Sequence, residues 1–143
     1  MNEYVKIFNG YRHAYGIADW SNATVDPESG KKKPDYRWTY EEFTDQIYQD
    51  HLTGEKSVGA QPTNENGDAK FGVIDIDPKA YEGFNKQFYL EAIKQYDLPL
   101  IPIESKSGGL HLYLFMAEFV PSTLVVSFLS NLLPLFNLKP DCE

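Results

Sequence analysis

The 143-residue chain has a single cysteine, Cys142, near its last residue. One thiol excludes an internal disulfide, argues against a zinc site and fits a reducing, intracellular setting. Long apolar runs are missing as well. No stretch reaches the ~18 residues that a membrane-crossing helix needs, and Met1-Asn2-Glu3-Tyr4 does not open a signal peptide. A cytoplasmic location with no membrane partner is therefore the expectation. Basic charge is scarce: 13 Lys and Arg stand against 21 Asp and Glu, for a net charge of −8. That argues against a protein that coats nucleic acid by charge alone. The basic residues cluster only at Lys31-Lys32-Lys33 and Arg37. No repeat, low-complexity segment or dividing linker is present. What the chain has instead is aromatic mass, with 10 Tyr and 9 Phe, enough for a real core in one domain and unlike a disordered segment.

Local signals give a coarse order of elements. Tyr4–Phe8 opens a helix or a weak strand, and Asn9-Gly10 is a turn signal. Residues 19–34 are polar, carry Asp26-Pro27 and Gly30, and read as a loop. Thr39-Tyr40-Glu41-Glu42 is a capping box, which predicts a helix from Tyr40 to about His51 with Phe43, Ile47 and Tyr48 inward and Gly54 as its stop. Ser57–Ala60 reads as a short strand, and Glu65-Asn66-Gly67-Asp68 as a turn into the next. A helix follows over 83–96, with Phe84, Phe88, Ala92 and Tyr96 on one side. Another spans 123–133, with Leu124, Phe128, Leu129 and Leu132 as its core stripe. The fold class is α+β, a mostly antiparallel sheet with flanking helices.

Two stretches carry chemistry. Phe71-Gly72-Val73-Ile74-Asp75-Ile76-Asp77-Pro78 reads as a strand rich in β-formers that ends at proline. Spacing of two puts Asp75 and Asp77 on one face, about 6.6 Å apart along the axis. Adjacent carboxylates repel, and a pair of divalent cations would relieve the repulsion. Two carboxylates that merely face solvent are the alternative. The second stretch is a β-hairpin: residues 98–104 are apolar and extended, Ser105-Lys106-Ser107-Gly108-Gly109 turn, and residues 110–115 alternate. His111, Tyr113 and Phe115 share one face of that last strand, and Leu110, Leu112 and Leu114 the other. Lys106, Ser107, His111 and the Gly108 and Gly109 amides form a donor-rich tip suited to a phosphate chain. An ordinary turn with an incidental histidine is the alternative.

Together the Asp-x-Asp strand and Ser-Lys-Ser-Gly-Gly-x-His-x-Tyr-x-Phe resemble the catalytic domain of the archaeo-eukaryotic primase (primase-polymerase) superfamily, in its phage and TOTE-type branch. The short blocks Ile7-Phe8-Asn9-Gly10, Ala14-Tyr15-Gly16, His51-Leu52-Thr53-Gly54 and Val58-Gly59-Ala60-Gln61-Pro62 extend the resemblance from about residue 7 to the end. It implies an RRM-like sheet over about 71–143 beside a small N-terminal α/β unit over about 1–70. It also implies DNA primase or polymerase activity by nucleotidyl transfer, with Mg²⁺ or Mn²⁺ on Asp75 and Asp77. Lys106, Ser107, Gly108, Gly109, His111 and Gln61 would contact the nucleotide. The implied partners are nucleoside triphosphates, a single-stranded DNA template or primer-template, and a helicase, in a phage or mobile-element setting.

Members of the superfamily carry a third acidic motif, and Glu143 stands where that acid is expected, with Asp141 as second choice. The chain is thus expected to be C-terminally truncated at this motif. Two other functions stay open: a nucleotide- or DNA-binding module without turnover, and a metal-dependent nuclease. A nuclease has no need of the Ser-Lys-Ser-Gly-Gly tip.

Overall fold

A computed structural model of the protein describes residues 3–28, 30–81, 83–106 and 108–139. The chain divides into two compact units, which meet in sequence between Gly67 and Asp68. Its fold is α+β, with two three-stranded antiparallel sheets and four helices among the described residues.

The first unit contains α1 (Glu3–Ile7), β1 (Tyr15–Val25), β2 (Lys32–Thr39), α2 (Asp45–Leu52) and β3 (Val58–Gly59), with strand order β2-β1-β3. Its core is aromatic: Phe43 stacks between Tyr15 and Tyr48 at centroid distances of 4.8 and 4.1 Å, and Val5 closes the cluster. The buried Tyr48 hydroxyl donates to the Phe8 carbonyl at 2.8 Å, and burial raises its pKa.

Two expectations fail in this unit. Residues 19–34 are not a loop but the greater part of a long hairpin. Asp26 and Gly30, the latter at φ +68, form its turn, and the Asp26 amide donates to the Lys31 carbonyl. The polar sequence hid the hairpin because most of the ribbon is solvated and shows no hydrophobic alternation. Helix α2 starts at Asp45, not Tyr40, and Thr44 supplies the cap by accepting from the Ile47 amide. Phe43 explains the shift. Its amide donates to the Arg12 carbonyl and its ring fills the core, so residues 40–44 stay outside the helix, with a bend at Glu41, and Thr39 ends β2 instead of capping.

The second unit runs β4 (Asp68–Ile76), α3 (Lys86–Gln95), β5 (Ile101–Glu104), β6 (Leu110–Pro121), α4 (Ser122–Leu132) and a 3-10 turn at Leu133–Phe136. Strand order is β4-β6-β5, so the unit's first and second strands flank its third, in an RRM-like arrangement. Leu110, Leu112 and Leu114 of β6 join Ile74 and Ile76 of β4 against Tyr89 and Ala92 of α3 and Val125, Leu129 and Leu132 of α4. Gly72 lets α4 come this close. A side-chain carbon there would lie 2.6 Å from Val125 Cγ1 and 2.8 Å from Leu129 Cδ1.

Both helices differ in detail from expectation. Asn85 caps α3 through the Gln87 amide, so the helix begins at Lys86 and turns Tyr89 and Ala92 inward, leaving Phe88 and Tyr96 exposed. In α4 the buried stripe is Val125, Leu129 and Leu132, while Leu124 and Phe128 face out. This helix is apolar nearly all round, so periodicity alone could not select its inner face; contact with Gly72 does.

Candidate active site

The open face of the second sheet begins with the pairing of β4 and β6. Asp75 stands opposite His111 in the register, Val73 opposite Tyr113 and Phe71 opposite Phe115. The leucines of β6 turn to the core, which leaves His111, Tyr113 and Phe115 on the other side as the alternation predicts. His111 Nε2 lies 3.3 Å from Asp75 Oδ1. The His111 ring meets Tyr113 edge-on at 6.1 Å, and Tyr113 stacks on Phe115 at 5.5 Å. Partial burial, and then the Asp75 charge, raise the Tyr113 pKa. Neither the 71–78 strand nor the hairpin tip had brought Tyr113 forward as a site residue; its place one step along the face from His111 was the available signal.

Asp75 and Asp77 are exposed on either side of the fully buried Ile76, so they share a face. Regular strand ends at Ile76, and Asp77 begins the turn that follows: its Oδ1 accepts from the Lys79 amide at 2.9 Å and its carbonyl from the Ala80 amide. Asp75 also lines a groove of about 210 Å³ between β4 and α4.

The hairpin tip is seated directly on this strand end. A side-chain carbon on Gly109 would fall 2.3 Å from the Ile76 carbonyl oxygen and 2.9 Å from Pro78 Cδ. Only glycine lets the two segments touch here. Ser105, which was not among the expected site residues, organises the turn. Its Oγ accepts from the Gly109 amide at 3.0 Å, its carbonyl from the Gly108 amide at 3.0 Å, and its own amide donates to the Gly109 carbonyl. The legible signal was serine's tendency to bond backbone groups a few residues on. The Gly108 and Gly109 amides, expected as open donors, are therefore engaged inside the turn. Gly108, at φ +86, has free space where a side chain would stand. Lys106 is exposed.

Ser107, Asp141 and Glu143 lie outside the described residues. Gln61 belongs to the first unit. Its carbonyl accepts from the Tyr11 amide at 3.0 Å and crowds Gly10, where a side-chain carbon would lie 2.0 Å from it. Gly59, by contrast, has open space around the same position, so no close packing demands glycine there. Among the described residues, no three His, Cys, Asp or Glu side chains converge as a metal-binding group. The Asp75–Asp77 pair does suit Mg²⁺ or Mn²⁺. Both carboxylates are exposed oxygen donors, and Mg²⁺ is commonly held by one or two carboxylates with phosphates and water completing its shell.

An α+β protein with an RRM-like half, a carboxylate pair at a strand end and a glycine-rich hairpin seated on that end defines the class. Residues 6–140 match the family described as the TOTE conflict system archaeo-eukaryotic primase domain, and the chain belongs to that family. At family level this brings primase-like nucleotidyl transfer in a conflict-system setting. A comparison with curated proteins found no match. No helix among the described residues is long and apolar enough to cross a membrane.

Proposed function

We propose that the chain carries a template-directed nucleotidyl-transfer site at the junction of β4 and the β5–β6 hairpin. Asp75 and Asp77, with Glu143 as third acid, hold Mg²⁺ or Mn²⁺. The observation that best supports this is the contact of Gly109 with Ile76 and Pro78, beside the pairing of His111 with Asp75. It sets the phosphate-binding type of tip and the carboxylate pair on one strand end.

When bound, the cations would lower the pKa of the attacking 3′-hydroxyl and neutralise charge on the leaving pyrophosphate. His111 donates to a triphosphate oxygen, and Asp75, 3.3 Å away, holds the ring in place. Ser107 and Lys106 add donors from the tip, and the open space at Gly108 admits the phosphate chain. Donors set in advance where charge grows are the largest contribution to such transfers. The substrates are nucleoside triphosphates on a single-stranded DNA template or primer-template.

A second reading, nucleotide binding without turnover, is favoured by one observation: the Gly108 and Gly109 amides bond to Ser105 inside the turn, which leaves fewer donors at the tip to meet charge growing on a phosphate. The two separate in one experiment. The whole chain is assayed for primer extension with Mn²⁺ and deoxynucleotides, beside a nucleotide-dependent thermal shift. Extension that disappears in Asp75→Ala supports transfer. A thermal shift without extension supports the binding module. Strand cleavage in place of extension would convert the reading to a nuclease.

A further inference from the structure

The sheet of the first unit carries a feature that nucleotidyl transfer does not use. On β2, Tyr36 and Trp38 are 74% and 54% exposed. Strand alternation puts both on one face. In the register Tyr36 stands beside Ala18 and Trp38 beside Gly16 of β1, with Gly59 of β3 on the far side of Gly16. Large rings next to such small neighbours leave a trough of about 330 Å³, whose lining includes Gly16, Ala18, Tyr36, Trp38, Ser57 and Gly59. That is near the lower bound of about 300 Å³ for small-molecule sites, a size for one planar ring system.

The spacing and the charge point to the same occupant. Residues two apart on an antiparallel strand are about 6.8 Å apart. That is twice the ~3.4 Å rise per nucleotide of a stacked strand, so one base fits between successive rings. Lys31 and Lys32 lie just ahead of the rings in sequence, while Asp35 and Arg37 alternate with them and belong to the opposite face. Lys33 forms an ion pair with Asp26 across the hairpin. In a chain of net charge −8, this is where an anionic strand meets local positive charge. A protein partner would also use Tyr and Trp, but it favours an apolar centre with few charges. A glycine floor beside cations suits a base and its phosphates.

We propose that this trough is a stacking subsite for single-stranded nucleic acid. Tyr36 and Trp38 hold an unpaired base, and Lys31 and Lys32 attract the flanking phosphates. The subsite is independent of chemistry at Asp75.

The test is binding of a fluorescein-labelled oligothymidylate to the whole chain, read by anisotropy and by intrinsic tryptophan fluorescence. Binding should quench the fluorescence. Trp38→Ala and Tyr36→Ala should each weaken it about ten-fold, the scale of one lost base–aromatic stack, while Trp38→Phe keeps most of the affinity. Lys32→Ala should flatten the salt dependence between about 50 and 200 mM. An abasic strand of equal length should bind the parent weakly and ignore Trp38→Ala. The proposal is overturned if the parent binds no oligonucleotide, if both alanine variants bind like the parent with unchanged circular dichroism, or if the abasic strand binds equally well. Should Trp38→Ala fail to fold, the more exposed Tyr36→Ala decides alone. An Asp75→Ala variant that loses extension but keeps this binding would separate the two sites.

Discussion

His111 is the residue on which the chemistry can be tested most sharply. It is a third exposed, its ring faces Asp75, and nothing in the core depends on it. His111→Ala should therefore fold normally, weaken nucleotide binding and reduce extension by about 10²–10³-fold, the cost of one lost donor to developing charge. The measurement is primer extension together with a nucleotide thermal shift, and undiminished extension would remove His111 from the mechanism. Gly109 tests the seating of the tip. Gly109→Ala forces a carbon against the Ile76 carbonyl, so it should cost about 1–3 kcal/mol, as overpacking does, and lower nucleotide affinity with it. A full loss of stability with affinity intact in the folded fraction would separate packing from binding.

Two elements carry predictions of their own. Helix α4 meets β4 at Gly72, so Gly72→Ala should push Val125 and Leu129 away and lower the melting temperature, at about 1–3 kcal/mol. Leu124→Ala, on the exposed side of the same helix, should change it far less. At the end of α2, the buried Asp50 accepts from Lys56 at 2.7 Å and Gln46 at 2.8 Å, and these bonds, Lys56 first, lower its pKa. A lowered folded-state pKa means stability that is present above the unfolded value of about 3.9 and lost as pH falls through the folded one. Asp50→Asn should thus melt lower at pH 7 and show a shallower loss below about pH 4, read from thermal melts across acid buffers.

At the scale of the whole molecule, the described residues form two cores. One is the stack of Tyr15, Phe43 and Tyr48; the other is built on Ile76, Leu112 and Phe136. Phe43→Ala removes the middle ring of the first stack, a change that costs about 3–5 kcal/mol. Hydrogen exchange should then quicken across residues 3–67, while β4 and β6 keep their protection. Uniform loss across both units would mean that they unfold as one.

The sequence by itself determined what depends on near neighbours. Alternation set the leucine face of β6 apart from the histidine face, and the glycines marked the hairpin tip. Those residues also carried the family resemblance. Tertiary structure decided what depends on distant partners. The β1–β2 ribbon is polar and solvated, so its pairing left no hydrophobic period to read. Phe43 entered a core made with Tyr15 and Tyr48 and thereby moved the start of α2. The inner face of α4 was chosen by the missing side chain at Gly72, about fifty residues away in sequence. The approach of Gly109 to Ile76 and the register of Asp75 with His111 are set by strand pairing, because a register is fixed by the face each strand buries and not by either strand alone.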